Sequence, residues 1–540
     1  MKLLSLLIFL FSLNQLSAQV GVLTNSDKAV NGYTLFAPAP SDTTYLIDNC
    51  GHQINKWVSN YTTGHSVYLT PDGSLWRACK ITNSTFPLGG IGGRIEKYDW
   101  NGNLVWEYNY TDSLKSHHHD YQILPNGNVL LLTIELITQA DCISAGRNPA
   151  LIPASGVLWS EKIVEIQPLG TNSANIVWEW RAWDHIVQDF DASKPNYAPI
   201  ADHPELINVN FSYENPSQSD WLHANAVSYN ADLDQIIISL KFLSEFWIID
   251  HSTTSAEAAS HSGGSSGKGG DILYRWGNPV IYGAGTSADQ QLFGQHHVTW
   301  IPDGHPGAGN ISLYNNGLVG IRAYSSVDLL QLPVDSLGNY TLQTGSSFAP
   351  TSAYWSYSAP NFFSNIVSSA QVLQNGNILI CEGKKGRFFE IDSSKNIVWE
   401  YINPTGANGA IQGQTNPSPA LSFRAIRYTP DYAAFTGKTL TPGNPIENSP
   451  WLTNCVIYNS YNNIKALEKE FLAYPNPSHQ NIIIEIEDEV ELSVFNNLGQ
   501  LVFTSPINSN SYTLKVAEWS NGLYWLKVEG YAPKTILVQH

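Results

Sequence analysis

Three short stretches of this chain place histidines where they could do chemistry: His117-His118-His119-Asp120, Trp221-Leu222-His223-Ala224-Asn225-Ala226 and Gly294-Gln295-His296-His297-Val298. An unperturbed imidazole titrates near about 6.5, so modest changes of environment make it a nucleophile, a base or an acid. The same rings could hold zinc or copper. Against a metal, only Asp120 accompanies them as a carboxylate. The five cysteines, Cys50, Cys79, Cys142, Cys381 and Cys455, are scattered without a CxxC pair. That excludes a cysteine-built zinc site and leaves room for one or two bridges after export. No metal is expected.

What must position these rings is a repeat. A turn and strand recur as Thr70-Pro71-Asp72-Gly73-Ser74-Leu75-Trp76, Leu124-Pro125-Asn126-Gly127-Asn128-Val129-Leu130 and Leu373-Gln374-Asn375-Gly376-Asn377-Ile378-Leu379. Strands ending in tryptophan recur as Leu104-Val105-Trp106-Glu107-Tyr108, Ile176-Val177-Trp178-Glu179-Trp180 and Ile397-Val398-Trp399-Glu400-Tyr401. Six copies begin near Gly32, His65, His118, His223, His297 and Ser368. Four-stranded units at such periods predict an all-β, six-bladed β-propeller. Its tryptophans would pack between blades. The first strand of each blade lines the channel, so the three histidine groups, each opening a copy, would converge there. Strict alternation puts His117 and His119 on one face, His223 and Asn225 on one face, and lets only one of His296 and His297 look inward.

Two insertions interrupt the pattern, at 184–218 and 252–270. The second holds Gly263-Gly264-Ser265-Ser266-Gly267-Lys268-Gly269-Gly270, which fails Walker spacing because Ser262 and Gly269 stand where Gly and Ser or Thr are needed. It reads as a flexible excursion.

The ends read as addresses. Residues 1–18 combine Lys2, a short apolar run and Leu16-Ser17-Ala18, the pattern of a signal peptide. That run is too short to cross a bilayer, and no later segment is long and apolar enough for a stable membrane span. A net charge of −18 argues against nucleic acid as a partner. After a linker at 459–470, residues 471–540 open with Tyr474-Pro475-Asn476-Pro477, turn at Asn496-Asn497-Leu498-Gly499 and close with Asn521-Gly522-Leu523-Tyr524-Trp525-Leu526-Lys527-Val528. Roughly seven short strands there predict a small C-terminal β-sandwich. This unit resembles the C-terminal sorting domain of the type IX secretion system of Bacteroidetes. The resemblance implies the secretion machinery as a partner, cleavage of the tail, and a secreted or cell-surface protein exported through the periplasm.

Residues 19–458 would be the propeller. Their HHD, W-x-H-x-N and QH elements, in that order, resemble the arylsulfate sulfotransferase family, supported by Phe246-Trp247-Ile248-Ile249-Asp250, by 270–279 and by Phe423-Arg424-Ala425-Ile426-Arg427-Tyr428. The resemblance implies transfer of a sulfuryl group from an aryl sulfate donor to a phenolic acceptor, with no nucleotide cofactor. It implies a sulfated His296 as the intermediate, with His223 and His119 as the other catalytic imidazoles and His118 as the fallback for His119. Asn225, Lys241, His118, Gln295 and Arg322 are the expected substrate-binding residues. Lys241 stands where the family has arginine, keeping the charge without the bidentate fork. Arg322, Arg424 and Arg427 are candidates to compensate. Other readings are a surface propeller that binds glycan or protein without turnover, and a histidine-metal hydrolase.

Overall fold

The computed structural model describes residues 19–540 except 212–217, 336–337, 341, 343–345, 415–416, 459–470, 487–489, 497–499, 508–509, 529–530 and 532–533. The expected signal peptide, linker and the 497–499 part of the tail turn therefore lie outside the described residues. The chain divides into two compact units, 1–458 and 459–540.

Why the first unit folds as it does is visible in its turns. Gly73, Gly127 and Gly376 carry φ of +82°, +86° and +86°. That left-handed conformation lets the amides of Thr70, Leu124 and Leu373 reach the carbonyls of Ser74, Asn128 and Asn377 at 2.9, 2.8 and 2.8 Å. Each turn closes a hairpin, and each hairpin belongs to an antiparallel sheet. Six such sheets follow along the chain, five of four strands and one of five. Their leading strands are Thr63–Leu69, Lys115–Ile123, Ala224–Asn230, His296–Trp300, Ser369–Val372 and, at the edge of the sheet begun by Tyr33–Ala39, Leu421–Tyr428. Each leading strand lies against the next, and Leu421–Tyr428 lies against Thr63–Leu69.

The tryptophans join neighbouring sheets. Trp106, Trp178 and Trp399 are buried. Their indole N–H groups donate to Ser173 O (3.1 Å), Thr253 Oγ1 (3.1 Å) and Asn49 O (2.8 Å), in each case on the sheet that follows or on the loop just after its strands. Burying an indole while pairing its N–H avoids the cost of a stranded donor. Both chain ends of the unit are stitched in. Leu421–Tyr428 completes the first sheet by pairing with Tyr33–Ala39, and Gly21–Asn25 adds a fifth strand to the last sheet beside Ile397–Ile402. A disulfide joins Cys50 to Cys455, while Cys79, Cys142 and Cys381 are buried free thiols.

The second unit has two sheets: Leu472–Tyr474, Asn481–Glu485 and Ser511–Lys515 in one, Leu501–Ile507, Val490–Asn496, Gly522–Val528 and Lys534–Val538 in the other. Ile482, Ile484, Leu492, Val494, Leu514, Leu526 and Ile536 form its core. Tyr524, Leu526 and Val528 point inward while Leu523 and Trp525 are exposed, the period of two that a half-buried strand requires. Among the described residues no helix is long and apolar enough to cross a membrane.

Candidate active site

The leading strands do not keep strict alternation. Register breaks fall between Thr63 and Val67, opposite His117 to Tyr121, between Ala224 and Ala226, and between His296 and Thr299. At these breaks His65, His119 and His297 take φ of +96°, +52° and +50°, while His223 takes +51° just before Ala224–Asn230 and Ser368 +91° just before Ser369–Val372. A side-chain-bearing residue in this region is uncommon, and a bulge there re-aims the strand's side chains. In three strands the left-handed residue is itself the imidazole that turns toward its neighbours. In the fourth, His297 turns away, its Nδ1 2.8 Å from Ala370 O, and the preceding His296 faces the others. Alternation thus separated His296 from His297 correctly, but it does not account for His118 and His119, which both reach one region.

Four imidazoles gather where these strands meet. The rings of His119 and His223 are 4.8 Å apart, those of His65 and His119 5.7 Å. Phe423, on the closing strand, lies 4.9 Å from His65, 6.1 Å from His119 and 6.3 Å from His296. His65 joins them from the start of one of the six copies, without a marked neighbour beside it. That position was the available signal.

Each of three rings is held by a partner that dictates its tautomer. Asn316 is buried, and its Nδ2 donates to the carbonyls of Ser364 (2.7 Å) and Val367 (2.8 Å). Its Oδ1 must therefore be the atom facing His296 Nδ1 at 2.8 Å. An amide oxygen only accepts, so Nδ1 carries the proton and Nε2 keeps its lone pair. His223 Nδ1 stands 2.6 Å from Asp220 Oδ2, which likewise leaves Nε2 toward the cluster. Glu161 accepts from the Ala224 amide at 2.7 Å and faces His118 Nε2 at 3.0 Å, while His118 Nδ1 meets His119 Nδ1 at 2.9 Å. Glu161, His118 and His119 form a chain along which a proton can move.

Burial sets the charge state. It lowers His65 to about 4, with help from Lys80 and His223. His296 is driven well below the usual range by burial and then by the Lys241 ammonium, and His119 by burial and then by His223 and His118. These three rings are neutral at neutral pH.

The remaining expected residues divide. Lys241 lies beside the His296 segment: its stem comes within 3.8 Å of a Cβ built on Gly294, and its Nζ sits 4.6 Å from the ring of Phe242, which stacks on His223 at 4.6 Å. Asn225 spends one N–H on Gln295 O at 2.7 Å and leaves Oδ1 buried without a partner. Gln295 points its amide at the carbonyls of Leu240 (3.2 Å) and Glu245 (2.6 Å), anchoring the strand rather than facing the imidazoles. Arg322 donates to Asn315 O, Tyr324 O and Ser326 Oγ and covers the rings of Phe293 and Tyr324. None of its contacts is with an imidazole. Arg427 is committed to Thr34, Val30 and Glu390.

Arg424 closes the cluster on one side. It forms an ion pair with Asp120 at 2.8 Å and donates to Tyr68 Oη, while Asp120 also accepts from Ser66 (2.6 Å), Tyr68 (2.7 Å) and the Val227 amide (3.2 Å). Strands from four sheets meet in this one carboxylate. Beyond it, toward the far ends of the leading strands, lies a separate cavity of about 700 Å³ lined by Tyr68, Trp76, Ile123, Tyr229, Tyr428 and Tyr432.

Comparison with known proteins adds the family. The arylsulfotransferase (ASST) family model matches residues 22–416, and that of the secretion system C-terminal sorting domain matches 472–537. Among curated proteins, none matches. Solved structures with some likeness include a protein of unknown function from Bacteroides caccae (12% identity, TM-score 0.35, covering 69% of this chain and 93% of that one). They also include virginiamycin B lyase from Staphylococcus aureus bound to quinupristin (11%, 0.31, 71% and 88%) and a streptogramin B lyase (11%, 0.34, 76% and 94%).

Proposed function

Since the chain belongs to the arylsulfotransferase family, we propose that its first unit is a six-bladed propeller which moves a sulfuryl group from an aryl sulfate to a phenol through a sulfated His296. The supporting observation is the Asn316 contact, which leaves His296 with a lone pair on Nε2 amid other imidazoles and one ammonium.

In the first half-reaction Nε2 of His296 attacks sulfur, the S–N bond forms, and the aryl S–O bond breaks with its electron pair leaving on the phenolic oxygen. His119 gives that oxygen a proton. The donor itself loads this acid: its negative charge among neutral imidazoles raises the proton affinity of the His118–His119 pair, backed by Glu161. In the second half-reaction His119 takes the proton from the incoming phenol, whose oxygen bonds to sulfur as the S–N bond breaks. His296 returns to its starting tautomer. Sulfuryl transfer, like phosphoryl transfer, passes through a loose transition state with charge on three equatorial oxygens. Lys241 and the second N–H of Asn225 are the donors for those oxygens. Phe423 and Phe242 offer faces on which an aryl ring stacks.

Phenols leave readily because their pKa of about 10 is low for an alcohol-type oxygen. No activated nucleotide is needed. The sorting tail indicates export by type IX secretion to the surface or medium; on this reading it is removed on arrival, and the donor and acceptor are extracellular phenolic compounds.

The test is a nitrophenyl sulfate assay with and without phenol, joined to mass spectrometry. Nitrophenolate should appear catalytically only with acceptor present. Donor alone should add one sulfuryl group to the peptide containing His296. His296→Ala should lose both signals with the fold intact. Release by water alone would make the protein a sulfatase, and full activity in His296→Ala would remove the proposed nucleophile.

A further inference from the structure

A second group of ligating side chains lies away from the four imidazoles. His185, His261 and Asp271 bring one ligand atom each to within 4.8 Å of the others, the one such group of three among the described residues. His185 stands in the first insertion, His261 in the second, and Asp271 just after it. We propose that His185 Nδ1, His261 Nδ1 and an Asp271 oxygen bind a zinc ion that clips the two insertions together.

The proton count at His185 supports a cation here. His185 is fully buried, and its Nε2 is 2.8 Å from Ala258 O. A carbonyl only accepts, so Nε2 carries the hydrogen. A neutral ring then presents a bare lone pair at Nδ1, 2.8 Å from Asp271 Oδ1. Two lone pairs at that distance repel. His261 Nδ1 approaches the same Oδ1 at 2.7 Å. A cation between the three atoms removes the conflict, and a ligating histidine that gives its other N–H to a backbone carbonyl is the usual outer-shell arrangement of a metal site.

The surroundings hold His185 ready for this role. Trp180 stacks flat on it, at 5.7 Å with planes 4° apart, and donates its indole N–H to Gly270 O at 2.7 Å. Gly270 has to be glycine, because a Cβ would fall 2.5 Å from His185 Nε2 and 2.0 Å from Ala258 O. The segment expected as a flexible excursion is in fact tied down. Thr254 and Glu257 form a capping box, the Ser266 amide donates to Asp250 at 2.8 Å, and the Gly270 amide to Ser260 O at 3.0 Å. Two nitrogens, one oxygen and an open fourth position for water suit tetrahedral zinc, whose ligand bonds of about 2.0 to 2.1 Å require ligand atoms roughly 3.3 Å apart. The His261 contact widens by movement of His261, whose side chain is 61% exposed, and the His185 contact by a small rotation of the Asp271 carboxylate.

The experiment uses the untagged full chain, stripped with chelator, incubated with zinc alone and desalted, with metal measured by inductively coupled plasma mass spectrometry. The expected result is about one zinc per chain, and a melting temperature several degrees above that of the stripped protein. His261→Ala and Asp271→Asn should retain none and show no zinc-dependent shift, with unchanged far-ultraviolet circular dichroism. A wild-type chain that keeps no zinc would overturn the proposal, leaving a protonated His185 paired with Asp271. So would variants that still keep one equivalent, which would move the metal elsewhere.

Discussion

Asn316 Oδ1 stands 2.8 Å from His296 Nδ1, and the two carbonyls that hold the amide's nitrogen allow it no other orientation. The tautomer of His296, the proposed nucleophile, is therefore written by a residue twenty positions away in the chain. Replacing Asn316 by leucine, similar in size but without the acceptor, should lower kcat on the order of 10²-fold or more, as when an imidazole loses the partner that fixes its tautomer. The KM for the donor should change far less. Stopped-flow release of nitrophenolate separates the two.

Gly90 packs against the other side of the site. A Cβ there would lie 2.1 Å from His119 Nε2, and Gly90 already carries a φ of +79°. Gly90→Ala should push the His119 ring away from His223 and cost roughly 10²-fold in turnover, the scale of losing an acid–base group. Poor leaving groups should suffer more than nitrophenolate, because a weakly basic phenolate needs no proton. Equal loss across a series of aryl sulfates of rising leaving-group pKa would deny His119 the acid role.

Acid should destabilise the fold before carboxylates protonate. His65 is held at about 4 in the folded chain, against about 6.5 when unfolded. Between these values the unfolded chain binds the proton and the folded chain does not. Stability is thus complete above pH 6.5 and falls as pH drops toward 4, with His119 and His296 acting in the same direction. Denaturant midpoints measured from pH 7.5 to 4.5 should show this decline, and His65→Phe should flatten part of it.

Cys50 and Cys455 are 405 residues apart, so their bond constrains a very long loop of the unfolded chain. Cys455→Ser should lower stability by about 2–4 kcal/mol. Far-ultraviolet circular dichroism should be unchanged at low temperature, and chemical denaturation should read the loss.

How much of this was legible in the sequence differs residue by residue. His119, His223 and His296 could be found because each opens a repeat and has a marked neighbour, Asp120, Asn225 or Gln295. His65 opens a repeat too, but stands alone between Gly64 and Ser66 and lacked that second mark. The turns at Gly73, Gly127 and Gly376 were readable from local chemistry. Alternation failed at the bulges because a left-handed residue resets the period, and nothing in His118-His119 announces where that occurs. Asn316, Glu161 and Asp220 fit no spacing rule, since their contacts depend on how separate sheets are packed. Gln295, expected to bind substrate, stands just before His296–Trp300 and its amide serves the backbone of Leu240 and Glu245, a role that only tertiary structure reveals.

The strand Leu421–Tyr428 completes a sheet begun at Tyr33. Its consequence is one of timing. A chain threaded through a membrane amino-terminus first presents Tyr33–Ala39 long before its partner has crossed, and that edge must wait, unpaired and adhesive, for nearly the whole of translocation. Such distant pairing is slow to form and open to wrong partners meanwhile. If this protein takes the proposed route through the periplasm, its passage should therefore depend on holding chaperones there more than passage of a protein built from local hairpins alone.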